Sequence, residues 1–102
     1  MTDFKNVARV VDGTVNEGIT VYGAGWCGDT RRSRALLDQI GIPYAYVDVD
    51  EDESAAAWVA AHNGGRPRLP TIVVGAGGPI LAEPSDPELT AALRDAGLAD
   101  AA

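Results

Sequence analysis

Cys27 is the only cysteine in this chain of 102 residues, and His62 is the only histidine. A lone thiol cannot close an internal disulfide, nor supply the several thiolates of a structural zinc site. One imidazole, far along the chain, is all that a Cys–His nucleophile pair would have to draw on. Any covalent chemistry must therefore centre on Cys27. It lies in Gly25-Trp26-Cys27-Gly28-Asp29-Thr30, between the end of a predicted strand and the start of a predicted helix. In an α/β sheet, ligands bind in the crevice beyond the carboxyl ends of the strands. A helix N-terminus adds unpaired N–H groups and about half a positive charge. A thiol in such a seat ionises more readily, its pKa falling from ~8.5 toward ~3.5–7.5. Elsewhere, the same residue would read as a small buried hydrophobe.

The neighbours each admit two readings. Gly28 lets the backbone pass close to a sulfur opposite Cys27, or is simple turn chemistry. Asp29 suits a helix start, yet its charge works against a thiolate. Thr30 either donates a hydrogen bond to the Cys27 sulfur or caps the helix. Arg31, Arg32 and Arg34 make a small basic spot that would assist a thiolate, or form a solvated helix face. Trp26 reads as packing more than chemistry, and stands with Gly28 and Asp29 among the candidate thiol-binding residues.

The elements that must position these residues follow from pattern. Ile19 to Gly23 is β-branched and bounded by glycine, which predicts a strand. Arg31 to Ile40 carries Ala35, Leu36 and Ile40 near helical periodicity and closes at Gly41 with Pro43 beyond. Tyr44 to Val49 alternates as a half-buried strand. Asp50 to His62 reads as a helix with an acidic first turn, closed by Asn63-Gly64-Gly65. Thr71 to Val74 and Pro79 to Ala82 are short strands joined through Gly75-Ala76-Gly77-Gly78. Ser85-Asp86-Pro87-Glu88 is a capping box that opens a last helix ending near Gly97. The order β-α-β-α-β-β-α implies a mixed four-stranded sheet with helices on both faces, the α-linked strands parallel and the late pair antiparallel. Residues 1–18 stay open between a helix with Phe4, Val7, Ala8 and Val11 on one face and a hairpin turning at Asp12-Gly13. The domain is placed at 19–97, with 98–102 as a frayed tail.

Composition excludes several classes. Hydrophobic residues at 46% and charged residues at 23% fit one globular domain. Eight basic against fifteen acidic side chains give a formal charge of −7. That balance argues against nucleic acid, because phosphate neutralisation needs a basic face. No apolar run approaches the ~20 residues of a spanning helix, and Met1 to Lys5 lacks the build of a signal peptide. A soluble, cytoplasmic monomer is the expectation.

The landmarks from Ile19 to Gly97 together resemble the glutaredoxin branch of the thioredoxin-like fold, and within it the mycoredoxin-like redoxins. They are Trp26-Cys27-Gly28, Gly41-Ile42-Pro43-Tyr44, Tyr46-Val47-Asp48-Val49-Asp50, Asn63-Gly64-Gly65, Leu69-Pro70-Thr71 and Glu83-Pro84-Ser85. The resemblance implies that Cys27 is the nucleophile and that Leu69-Pro70 is a cis bond facing it. It implies that Ser85 and Asp86 lie where relatives hold a low-molecular-weight thiol, mycothiol or glutathione, and Gly77-Gly78 loosely matches a glycine pair near that site. Arg31, Arg66 and Arg68 are candidates to attract the carboxylates of such a thiol.

Thr30 stands where dithiol relatives carry their second cysteine. A monothiol cycle on mixed disulfides of oxidised or thiolated proteins is therefore expected, since such exchange needs no resolving cysteine in the chain. Asp29 departs from the aromatic or similar residue often seen at its position. Three other readings stand beside this one. The first is a carrier of a [2Fe–2S] cluster bridged by Cys27 of two chains. The second is an oxyanion reductase of the arsenate type, for which Cys27-Gly28-Asp29-Thr30-Arg31 resembles the start. The third is a binding module that keeps the fold without the chemistry.

Overall fold

β-branched residues start the sheet. Ile19–Gly23 forms β1, the parallel Tyr44–Asp48 strand (β2) lies on one side of it, and the antiparallel Thr71–Val74 strand (β3) lies on the other. Ile80–Ala82 (β4) pairs antiparallel with β3, so the strand order is β2-β1-β3-β4. The computed structural model describes residues 18–75 and 78–99. The open reading of Phe4 to Gly13 lies outside these residues, as does Gly77.

Alternation along β1 sends successive side chains to opposite faces. Ile19 and Val21 join Tyr44, Ile72 and Val74 in a buried cluster. Leu37 from the helix Gly28–Ile40 (α1) and Leu89 and Leu93 from the helix Asp86–Asp95 (α3) close that cluster. Each such fully buried leucine or isoleucine contributes roughly 1.5–3 kcal/mol. On the other face, the Tyr22 ring lies 4.8 Å from that of Trp58 on the helix Glu53–His62 (α2). There Ala24, Val59 and Leu69 form a second, smaller cluster, with Cys27 packed against it. Helices thus cover both faces, and the thiol sits beside the smaller core. No helix among the described residues is long and apolar enough to cross a membrane.

Local signals explain where the helices stop and start. α1 ends on Gly41 at φ 85, with the Ile42 N–H donating back to the Leu37 carbonyl. Ser85 caps α3 by accepting from the Glu88 N–H, while the Glu88 side chain accepts from the Ser85 N–H. Two starts differ from the expectation. α1 begins at Gly28, not Arg31, and α2 begins at Glu53 behind an Asp52 cap, not at Asp50. Asp48 and Asp50 instead form a turn in which the Asp48 carboxylate accepts from the Asp50 N–H at 2.8 Å. The C-terminal side also differs from a tail frayed from residue 98. Gly97 turns left-handed, the Leu98 N–H donates to the Leu93 carbonyl, and Leu98 and Ala99 pack against the larger core.

Candidate functional site

Cys27 is itself the N-cap of α1, with extended backbone and no side-chain cap bond. Its N–H donates to the Ala24 carbonyl and its carbonyl accepts from the Arg31 N–H, so the turn out of β1 and the first turn of the helix both fix it. The thiol is half-buried, and its S–H donates to the Leu69 carbonyl across 3.8 Å. The Leu69–Pro70 bond is cis. Both residues are buried, and the Pro70 carbonyl accepts from the Glu83 N–H. A buried hydroxyl steadies this segment. Thr71 Oγ1 donates to the Arg68 carbonyl at 2.7 Å and accepts from Asn63 Nδ2, which also donates to the Val59 carbonyl.

The other expected residues take distinct places. Thr30 is fully buried, and its hydroxyl accepts from the Ala24 N–H at 3.4 Å; neither the sulfur nor the helix cap is its recorded partner. It is also wedged against β1, since a Cβ added at Gly23 would come within 2.5 Å of Thr30 Cγ2. Gly28 faces open space, and a Cβ there would meet only the Arg31 guanidinium, at 3.8 Å. Trp26 is 68% exposed, not packed, and its indole N–H donates to the Asp50 carboxylate at 2.7 Å. Arg31 bonds the Gly25 carbonyl and is exposed. Arg66 is exposed too, while Arg68 pairs with Glu83 at 3.4 Å. Ser85 is engaged in its capping box. Asp29 and Asp86, on different helices, share one partner.

That partner is Arg32, which the sequence offered only as part of a basic spot. Its guanidinium reaches Asp29 at 2.8 Å, Asp86 at 3.3 Å and the Pro84 carbonyl at 3.0 Å. Desolvation pulls the Arg32 pKa down, but hydrogen bonds and charge from Asp29 and then Asp86 outweigh it and leave it raised. The basic spot therefore divides. Arg34 belongs to the sheet, bonding the Tyr44 hydroxyl and lying 3.7 Å over the Tyr46 ring. Asp50 was likewise missed as a site neighbour, because the tie to Trp26 spans distant positions.

A half-buried thiol at a helix cap, facing a buried cis-proline segment at one end of a mixed four-stranded sheet, is the arrangement the chain brings together. Residues 19–77 match the Glutaredoxin family. The chain belongs to the glutaredoxin family. A Mycobacterium tuberculosis protein that carries the glutaredoxin name is 34% identical over 79 residues, covering 78% of this chain and 93% of that one. Mycoredoxin 1 of Corynebacterium glutamicum is 39% identical over 54 residues, covering 53% of this chain and 66% of that protein.

Solved glutaredoxin structures share the fold. One from Archaeoglobus fulgidus superposes with a TM-score of 0.65 at 18% identity, covering 76% of this chain and 87% of that one. The holo form of glutaredoxin C1 from poplar (Populus tremula x tremuloides) gives 0.57 at 26% identity, covering 78% and 86%. Membership of the glutaredoxins supports a thiol redox role with glutathione-type thiols as co-substrates. The chain has a single cysteine, Cys27. One thiolate per chain does not suit an iron–sulfur cluster held inside one subunit. Among the described residues, no group of three or more His, Cys, Asp or Glu side chains is placed to hold a metal ion.

Proposed function

We propose that the protein is a monothiol glutaredoxin-type oxidoreductase that removes a low-molecular-weight thiol, mycothiol or glutathione, from proteins that carry it as a mixed disulfide. The observation that carries the reading is the seat of Cys27: N-cap of α1, half-exposed, with no second cysteine anywhere in the chain. The Cys27 thiolate attacks the small thiol's sulfur in the mixed disulfide. A bond forms between Cys27 and that sulfur, the protein–small-thiol bond breaks, and the protein leaves as a thiolate that takes up a proton. A second small thiol, as its thiolate, attacks the small-thiol sulfur now on Cys27. Cys27 is released as thiolate, and the two small thiols depart joined as a disulfide. Each turnover consumes one free small thiol: the disulfide bond passes from the substrate protein to the pair of small thiols, and the substrate protein is left as a free thiol. No resolving cysteine is needed at any step.

The chain's own groups prepare the attack. Pairing of the Cys27 S–H with the Leu69 carbonyl holds the sulfur toward the cis-proline edge. Backbone N–H groups in the first turn of α1 stabilise the sulfur's negative charge as it forms and as it is restored. Gly28 leaves the approach to the sulfur free of side-chain bulk, and exposed Arg31 offers a cation to an incoming carboxylate. Steady-state turnover of a small mixed disulfide tests the reading, with glutathione and mycothiol each supplied as reductant. Saturable catalysis by the natural chain, abolished in Cys27→Ser, is expected. Rates no faster than the uncatalysed exchange with both thiols would leave a binding module in its place.

A further inference from the structure

We propose that Arg32 is a positioning residue for the Cys27 site: one guanidinium bridges Asp29 and Asp86, offsets half of their combined charge, ties the N-termini of α1 and α3 to each other, and screens the Asp29 charge from the thiolate and from any anion that approaches it. This rests on Cys27 being the reacting thiol.

The geometry has three parts. Asp29 is two residues from Cys27 in the first turn of α1, where a carboxylate repels a thiolate and opposes the partial positive charge of the helix end. Asp86 opens α3, the second helix whose N-terminus meets the site through Pro84 and Arg32. Arg32 reaches both carboxylates and the Pro84 carbonyl from a single planar fork, a geometry that lysine's point charge does not reproduce. The Arg32 side chain is 43% exposed and its two partners 52% and 44%, and ion pairs so exposed add little to stability. What the fork changes most is local charge. The chain carries a formal charge of −7, yet Asp29 and Asp86 are balanced one for one by Arg32 and Arg31, the latter bonded to the Gly25 carbonyl.

Alkylation measures this without any turnover. Iodoacetate is anionic and iodoacetamide neutral, but both react with the same Cys27 thiolate. The ratio of their rates cancels the thiolate population and reports the potential at the sulfur. Arg32→Gln should lower the iodoacetate-to-iodoacetamide ratio by about threefold, the order expected of an unscreened nearby carboxylate in water-like surroundings. Asp29→Asn in the Arg32→Gln background should restore most of the ratio. Arg32→Lys should keep much of it by charge alone. Asp29→Asn by itself should raise the ratio above that of the natural chain, which keeps the test decisive if Arg32→Gln does not fold.

An Arg32→Gln protein that folds and shows the natural ratio overturns the proposal, as does an Asp29→Asn chain with an unchanged ratio. Equal loss of ratio in Arg32→Gln and in the double variant would also overturn it, leaving Arg32 a purely structural tie. Failure of the redox reading looks different: the ratios would follow this pattern while mixed disulfides went unturned.

Discussion

The Cys27 thiol donates to the backbone carbonyl of Leu69 across 3.8 Å, although the two residues lie 42 positions apart. The contact joins the first turn of α1 to the segment that leads into β3. It belongs to the thiol form alone, because loss of the proton removes the donor and frees the sulfur to attack. How firmly the partner segment is held therefore bears on how the sulfur is presented.

Thr71→Val tests that hold. Thr71 is fully buried and links the Arg68 carbonyl to Asn63 through one hydroxyl. Valine keeps the shape and removes both bonds, leaving the part-buried Arg68 carbonyl and one Asn63 amide N–H short of a partner. A loss of about 1–2 kcal/mol in chemical unfolding is expected, with faster amide hydrogen exchange across residues 66–69. Unchanged stability and exchange would show that the hydroxyl is not what holds the segment.

Tyr46 makes a pH-dependent prediction. Burial pushes its phenol above the ordinary range, the Asp48 charge adds to this, and the Arg34 guanidinium over the ring offsets only part of it. The native chain thus keeps this proton at a pH where the unfolded chain, with its phenol near ~10, has released it. Fewer protons bound in the unfolded state means that stability falls as pH rises through and above that value. Tyr46→Phe should lose less stability than the natural chain between about pH 8 and about pH 11, read from urea midpoints. Parallel pH slopes for the two chains would contradict this.

Thr30→Cys asks whether the site accepts a second thiol. Position 30 is one helical turn from Cys27, and side chains so spaced start about 5–6 Å apart at Cβ, a separation that a small backbone adjustment must close for a disulfide. Thr30 now points toward Gly23 and the Ala24 N–H, so the new sulfur must also turn away from β1. Under oxidant, the variant should form a 27–30 disulfide and gain reduction of protein disulfides. Two thiols still open to alkylation after oxidation would show that the wedge against Gly23 prevents the turn.

Legibility of these features followed their range along the chain. Ser85-x-x-Glu88 and Gly41 were readable because the cap and the left-handed turn are made by neighbours in sequence. The start of α1 is hidden in the sequence because Gly28-Asp29-Thr30 carries no apolar periodicity and its cap, Cys27, has no side-chain oxygen. In the run Asp50-Glu51-Asp52-Glu53 every residue is a carboxylate and two are aspartates able to cap, so nothing in the sequence marks Asp52 over Asp50 as the one that accepts from the Ala55 N–H. Arg32 was the largest omission. Its tie to Asp86 spans 54 positions, and only the packing of α1 beside α3 brings them together. Trp26 and Asp50 were hidden in the same way, 24 positions apart.

Cys27 as the sole acceptor of a small thiol is tested most directly by the intact mass of the chain after one turnover. The reduced protein is mixed with a substrate protein that carries glutathione or mycothiol as a mixed disulfide, and the reaction is quenched with acid before a second small thiol is added. The account predicts a chain heavier by one small thiol, localised by peptide mapping to Cys27, and a substrate protein released with its thiol free. No adduct, or a disulfide joining the two proteins as the main product, would contradict it.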